Sequence, residues 1–122
     1  MIRELHLQEK LPFTMIKLDI YPAGEDIVAV LTGGETPHIG CAVLAVPRLS
    51  LSGNGENSST SSVINMTGHK DEILCRRIAE SLSVHYGVAV TCTGGIHLEK
   101  ITAEQIAMIH DAVSGLIEQI VG

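Results

Sequence analysis

The sequence predicts an α+β fold: a mostly antiparallel sheet of about six strands with two helices packed on one face. Two observations predict it. Apolar segments with strand-like patterns fill the first half of the chain, and helical spacing of apolar residues occurs only in the second half. The resulting order, β-β-β-β-β-α-β-α, favours this fold over a doubly wound parallel sheet, because most strands precede the helices. The 122 residues suit a single domain over 1–122.

The strands are identified from alternation and from short apolar runs. Within 13–21, apolar residues alternate with polar ones, which is typical of a strand with one face in water. Residues 27–31 and 42–46 are apolar throughout, which favours strands covered on both faces, and Pro47 is expected to end the second. The predicted strands cover 5–7, 13–21, 27–31, 42–46, 61–66 and 88–93.

Both helices show apolar stripes with recognisable ends. In the first, Leu74, Ile78 and Leu82 share one face, and Gly87 is suited to end the helix. The second is expected to begin at 102–105, a capping box.

Two further features accompany these elements. His85 and His110 lie on or beside the apolar helix stripes and are expected to be packed or half-buried. The Ser/Gly/Asn-rich segment 50–62 is expected to be a flexible polar loop.

Composition argues against several functional classes. The net charge is −6, with no evident cluster of Lys and Arg and few aromatic residues, so nucleic-acid binding is not expected. The chain shows neither a secretory leader nor an apolar run of about 18 residues, so we expect a cytoplasmic protein that does not enter a membrane. Its three cysteines include no close pair, which predicts reduced, buried thiols.

Three segments combine glycine with a hydroxyl, a histidine and a carboxylate: 32–40, 65–72 and 93–102. Each follows a predicted strand. Glycine allows the backbone to come close to a ligand, and the second and third segments lead into helices, whose first N–H groups suit a phosphate. The candidate binding residues are Gly33, Gly34, Thr36, His38, Gly40, Gly68, His69, Lys70, Gly94, Gly95 and His97.

The three histidines of these segments, His38, His69 and His97, lie far apart in sequence. If the segments converge, the imidazoles can bind one anion or one divalent metal ion. Each also has an ordinary interpretation as a loop residue that binds nothing. No nucleophile elbow, zinc-protease motif or phosphate-binding loop of known pattern is present.

Taken together, the three segments resemble the signatures of one family. The matching residues are Gly33-Gly34-x-Thr36-Pro37-His38-Ile39-Gly40, Gly68-His69-Lys70-Asp71-Glu72 and Gly95-Ile96-His97-Leu98-Glu99. In this combination they are similar to the LpdD-like prenylated-flavin chaperones, the small D subunits that accompany UbiD-type hydroxyarylic-acid decarboxylases. The likeness extends over nearly the whole chain in length and element order.

This resemblance implies a function that composition does not show. It implies a homodimer with a proteasome-assembly-chaperone-like fold that takes prenylated FMN (prFMN) from a flavin prenyltransferase, holds it and helps to load the decarboxylase. The candidate residues would then bind the cofactor, with the three histidines contacting its phosphate directly or through a divalent metal ion. The flavin ring needs an apolar contact, for which Met66, Ile39, Ile96 or a partner subunit are candidates.

Two alternatives remain open at the level of sequence. Histidines near glutamates also suit a small metal-dependent enzyme or a decarboxylase subunit that uses His38, His69 and His97. The second alternative is a pure assembly partner that binds a larger subunit and uses the three segments as its docking edge.

Overall fold

The computed structural model describes residues 2–53, 55–66 and 71–122. The elements, in chain order, are β1 (Leu5–Lys10), β2 (Met15–Ala23), β3 (Asp26–Gly34), β4 (Cys41–Leu49), β5 (Asn57–Asn65), α1 (Glu72–Tyr86), β6 (Val90–His97) and α2 (Ala103–Val121). The strands form one sheet in the order β1-β2-β3-β6-β4-β5. Every neighbouring pair is antiparallel except β3 and β6, which are parallel. The predicted α+β fold and element order are confirmed.

One face of the sheet forms the core. Buried side chains alternate along the central strands and pack under the two helices, with α1 over β4, β5 and β6 and α2 against α1, β1 and β2. The helices contribute Leu74, Ile78 and Leu82 from α1 and Val113 and Leu116 from α2, all buried. The predicted helix stripes therefore face this core.

Several predicted strand boundaries were wrong, of which four matter most for the sheet. β1 continues to Lys10, and β6 continues to His97. β4 passes through Pro47, which the strand tolerates because the β4–β6 ladder ends at Ala45 and leaves that side of β4 unpaired. β5 begins at Asn57 rather than Ser61.

The predicted polar loop of 50–62 is correspondingly shorter. Residues Asn57 to Ser62 are in β5, where they pair with β4. The connection between the two strands covers only 50–56. Serine and threonine are acceptable on this strand because β5 is an edge of the sheet with its residues half-buried or exposed. Flexibility of the connection stays a prediction.

The three cysteines are free and buried, as predicted. Burial raises the pKa of the Cys41 thiol to about 12. A hydrogen bond with Cys92, together with burial, raises the pKa of the Cys75 thiol. The Cys41 and Cys75 thiols are therefore protonated at neutral pH, and all three cysteines pack as small apolar side chains.

Within the described ranges, no helix is long and apolar enough to cross a membrane.

The predicted burial of the two helix histidines holds for one of them. His110 is half-buried, whereas His85 is exposed, with its ring edge to face against Tyr86.

Candidate functional site

The parallel pairing of β3 and β6 brings two of the glycine- and histidine-containing segments together. Gly33 lies beside Ile96 in the ladder, and Gly34 lies beside His97. Because neighbouring parallel strands end at the same edge of a sheet, the first and third segments meet there. Gly68, His69 and Lys70 of the second segment lie outside the described residues, but Asp71, the residue that follows them, is at the same edge.

Asp71 is at the centre of this edge and is buried. It occupies the N-cap position of α1, yet its side chain does not cap that helix. Instead Oδ1 accepts a hydrogen bond of 3.0 Å from the backbone N–H of Ile96, and Oδ2 lies 3.7 Å from Nε2 of His38. This carboxylate therefore joins the start of α1, the end of β6 and the segment before β4.

Two of the candidate glycines provide the space that this carboxylate occupies. A methyl group at Gly40 would overlap Asp71 Oδ2, and one at Gly95 would lie 2.8 Å from the same atom. Gly40 also donates its N–H to the carbonyl of Gly94 at 2.8 Å. Any larger residue at either position would displace Asp71 or separate the strands.

Two more of the candidate glycines fit the backbone near the ends of β3 and β6. Gly34 and Gly94 both have positive φ angles, and at each a methyl group would overlap backbone of the neighbouring strand. The N–H of Gly34 donates to Thr14 Oγ1 at 2.8 Å. The N–H groups of Gly34 and Gly40 thus make their hydrogen bonds inside the protein.

His38 and His97 form an imidazole pair at the surface of the edge. Their ring centres are 5.9 Å apart, edge to face. His97 Nε2 lies 3.3 Å from Glu99 Oε1, and the N–H of Glu99 donates to Glu35 Oε1 at 3.0 Å. Thr36 is exposed and contributes its carbonyl, 3.3 Å from His38 Nδ1. Carboxylates or carbonyls thus orient both rings.

The predicted metal ligands are only partly placed. His38 and His97 lie near each other, whereas His69 is outside the described residues. Among the residues that the structure describes, no three His, Cys, Asp or Glu side chains form a metal-binding group. A metal at His38, His69 and His97 stays a prediction without support from this geometry.

A cleft of about 330 Å³ opens beside this cluster, and both Asp71 and His97 line it. The remainder of its wall is one imidazole, His110, and aliphatic side chains from α1, the end of β6, the following loop and α2. These aliphatic residues are Ile73, Leu74, Ile96, Leu98, Ile101, Ile106 and Ile109. The edge therefore combines polar imidazoles with an adjoining apolar cavity.

The sequence predicted both imidazoles of the pair as site residues, but it predicted neither the role of Asp71 nor the cleft. Asp71 belongs to the second segment but was not among the candidate binding residues. An Asp directly before a helix normally caps that helix, and the partner of Asp71, Ile96, is 25 positions away in sequence. The cleft was missed because its residues come from four separate segments. Of the three candidates for contact with a flavin ring, only Ile96 lines the cleft; Met66 and Ile39 are exposed and do not belong to its wall.

Comparison with known proteins adds a family. Residues 12–122 match the model of the prenylated flavin chaperone LpdD-like domain. The curated protein LpdD of Lactiplantibacillus plantarum is 34% identical over 98 residues, which cover 80% of this chain and 68% of that protein.

Comparison with solved structures agrees on the fold. A chain from the crystal structure of a novel chaperone complex for yeast 20S proteasome assembly superposes with a TM-score of 0.55, covering 98% of each chain at 16% identity. At this level of identity the likeness concerns the fold alone.

Proposed function

The chain belongs to the family of LpdD-like prenylated flavin chaperone domains, and from that premise we propose that it is a non-catalytic carrier of prFMN. In this role it receives the cofactor, holds it and assists the loading of a UbiD-type decarboxylase. The observation that carries the proposal is the family match over 12–122, which includes the edge where His38 and His97 meet.

The donor set of this edge fits a phosphorylated, largely apolar cofactor. Imidazole N–H groups donate hydrogen bonds to phosphate oxygens, and His97 is half exposed and within reach of solvent. Asp71 lies beside His38 and Glu99 lies beside His97, so each ring has a neighbouring carboxylate that orients it. Of the candidate residues, His38 and His97 would contact the phosphate. Gly34, Gly40, Gly94 and Gly95 would shape the edge, and Gly68, His69 and Lys70 would complete the site.

The metal-dependent enzyme is the weaker candidate. It requires three ligands around one ion, and the described residues offer a pair of imidazoles. A metal-dependent enzyme would contain stoichiometric metal and show activity of its own, and that result would contradict the carrier.

Binding of the cofactor tests this proposal directly. Anaerobic calorimetric titration with reduced prFMN and with FMN is carried out on the wild type, on His97→Ala and on His85→Ala. His85 is an exposed histidine on α1 outside the site and is the matched control. We expect tight, selective binding of prFMN by the wild type and His85→Ala, weakened at least about tenfold in His97→Ala by loss of a charge-assisted contact.

Two results would contradict the carrier. One is the absence of any flavin binding by the wild type. The other is a purified protein that contains stoichiometric metal and itself releases CO₂ from a hydroxyarylic acid.

We further propose that the carrier is a homodimer. The sheet face opposite the helices exposes Leu44, Val46 and Ile64, with 44%, 47% and 77% of each residue accessible. Large apolar side chains on one uncovered face favour association with another protein surface. Light scattering on the wild type should give twice the monomer mass, and Leu44→Asp should give the monomer. A wild type that is monomeric at micromolar concentration would contradict the dimer.

The flavin prenyltransferase and the UbiD-type decarboxylase are the proposed partners, as donor and recipient of prFMN. Both would need access to the edge that carries His97. Transfer in either direction should therefore be slowed by a bulky label at an exposed neighbouring position such as Thr36. A label at Glu25, exposed in the turn between β2 and β3, should leave transfer unchanged.

A further inference from the structure

The rim of the cleft beside the imidazole pair exposes three isoleucines to water. Ile73 lies in α1, Ile101 in the loop after β6 and Ile106 in α2, with 55%, 37% and 43% of each residue accessible. Isolated exposed apolar residues are ordinary, but three from separate elements around one cavity form an apolar patch that a ligand can cover. The cleft therefore offers more apolar contact than its buried wall alone.

Size and position limit what the cleft can hold. Its volume, about 330 Å³, is at the lower end of the roughly 300–1,000 Å³ typical of small-ligand sites. It thus suits a ring system rather than a whole nucleotide. Asp71 and His97 belong both to the cleft wall and to the polar cluster, so one molecule can place its phosphate at the imidazoles and its rings in the cleft.

The wall also provides a hydrogen-bond donor that the structure orients. Arg77 Nη1 lies 3.3 Å from Nδ1 of His110. A guanidinium group only donates, so Nδ1 must accept, and the neutral ring then carries its proton on Nε2. In the part of the chain that the structure describes, Nε2 of His110 makes no hydrogen bond. A second bond from Arg77, to Ser114 Oγ, fixes the guanidinium group.

We propose that this cleft binds the uncharged heterocyclic end of the flavin, and that it is the element that selects prFMN over FMN. The prenyl-derived ring lies among Ile73, Ile101 and Ile106, and the carbonyl-bearing edge of the isoalloxazine accepts a hydrogen bond from His110 Nε2. An aliphatic wall suits the saturated, methyl-bearing ring that distinguishes the prenylated cofactor, since it gains dispersion and burial without an aromatic partner. The inference rests on the proposed carrier function.

Methyl NMR locates the ring directly. The full-length protein, labelled with ¹³C at the isoleucine δ-methyl groups, is titrated anaerobically with FMN and with reduced prFMN. Ring currents should shift the methyl signals of Ile73, Ile101 and Ile106. Ile27, buried at the start of β3 at the opposite end of the sheet, is the internal control and should not move.

Variants test selectivity with a matched control for each. Ile106→Asn should weaken prFMN binding about tenfold and FMN binding less, because it removes apolar contact with the added ring. Leu51→Asn, at an exposed position in the 50–56 connection, should change neither affinity. His110→Phe keeps an aromatic ring without the donor and should weaken both flavins about fivefold to tenfold. His85→Phe, the same substitution at an exposed histidine outside the cleft, should leave binding unchanged.

The outcomes separate this inference from the carrier function. If the wild type binds prFMN tightly while Ile106→Asn and His110→Phe bind it equally well, and the three rim methyl signals stay in place, the cleft assignment is overturned and the carrier stands. If the wild type binds no flavin, both fall together. Circular dichroism shows whether each variant is folded. If a variant does not fold, the methyl titration still tests the assignment, because it uses the unmutated protein.

Discussion

The starts of α1 and α2 differ in where their first polar residue makes its hydrogen bonds. Thr102 caps α2 locally: Oγ1 accepts from the N–H of Gln105 at 3.1 Å, and Gln105 Oε1 accepts from the N–H of Thr102 at 3.0 Å. Asp71 holds the same position before α1 but bonds to Ile96 in β6. A local cap fixes one helix, whereas Asp71 fixes two elements relative to each other and holds an imidazole beside them.

This difference predicts that changes near Asp71 affect the whole edge, while changes at Thr102 stay within one helix. The largest effect is expected for Gly40→Ala. Its methyl group would overlap Asp71 Oδ2 in a closely packed site, so we expect a loss of about 3 kcal/mol in the free energy of unfolding. Urea denaturation followed by circular dichroism measures it.

Gly115→Ala is the control for that substitution. Gly115 lies in α2 with open space around its Cα, so alanine should raise the free energy of unfolding by about 0.7 kcal/mol through helix propensity. Equal effects of the two substitutions would show that Asp71 is not closely packed against Gly40.

Asp71→Ala ranks second. It leaves the N–H of Ile96 without its acceptor in a partly buried position, which costs about 2 kcal/mol. Asp71→Asn retains a side-chain oxygen for that N–H and should lose less. The same denaturation experiment compares them, and a cost of Asp71→Ala no larger than that of Thr102→Ala would contradict the difference drawn between the two helix starts.

Thr102→Ala ranks third, with an expected loss of about 1 kcal/mol, typical of an N-cap. Because its effect is confined to α2, binding of prFMN should change little, whereas Asp71→Ala should weaken it together with stability. The paired measurement is the unfolding free energy and the calorimetric affinity of each variant. Equal loss of affinity in both would show that the cap is not local.

Arg76→Ala is the smallest expected change. Arg76 pairs with Glu72 one turn along α1, at 2.9 Å and largely exposed, so its removal should cost about 0.4 kcal/mol. Its contribution should fall as salt is added, because the pair faces solvent. A cost near that of Asp71→Ala, or one independent of salt, would mean that the start of α1 depends on this ion pair.

The same contrast explains how much of the molecule could be read from its sequence. The capping box of α2, the helix stripes and the alternation in β2 are set by residues near one another, and their predictions were confirmed. The continuation of β4 through Pro47 and the start of β5 at Asn57 depend on which neighbour each strand pairs with, and the local sequence pattern does not contain that information.

The features of the site also divide into those that the local sequence predicts and those that it does not. Its glycines and histidines were visible as a repeated composition. Their meeting at one edge followed only from the parallel pairing of β3 with β6, which joins residues more than sixty positions apart. Asp71 and the isoleucine-lined cleft are products of that tertiary arrangement, so no local signal identified them.

Delivery of the cofactor tests the central claim most directly. Apo-decarboxylase of the UbiD type is mixed anaerobically with prFMN-loaded wild-type protein, with loaded His85→Ala and with an equal amount of free prFMN, and CO₂ release is followed. The carrier predicts that both loaded proteins activate the decarboxylase faster than free cofactor does, while the carrier alone releases none. Activation no faster than with free prFMN, or CO₂ released by the carrier by itself, would contradict the account.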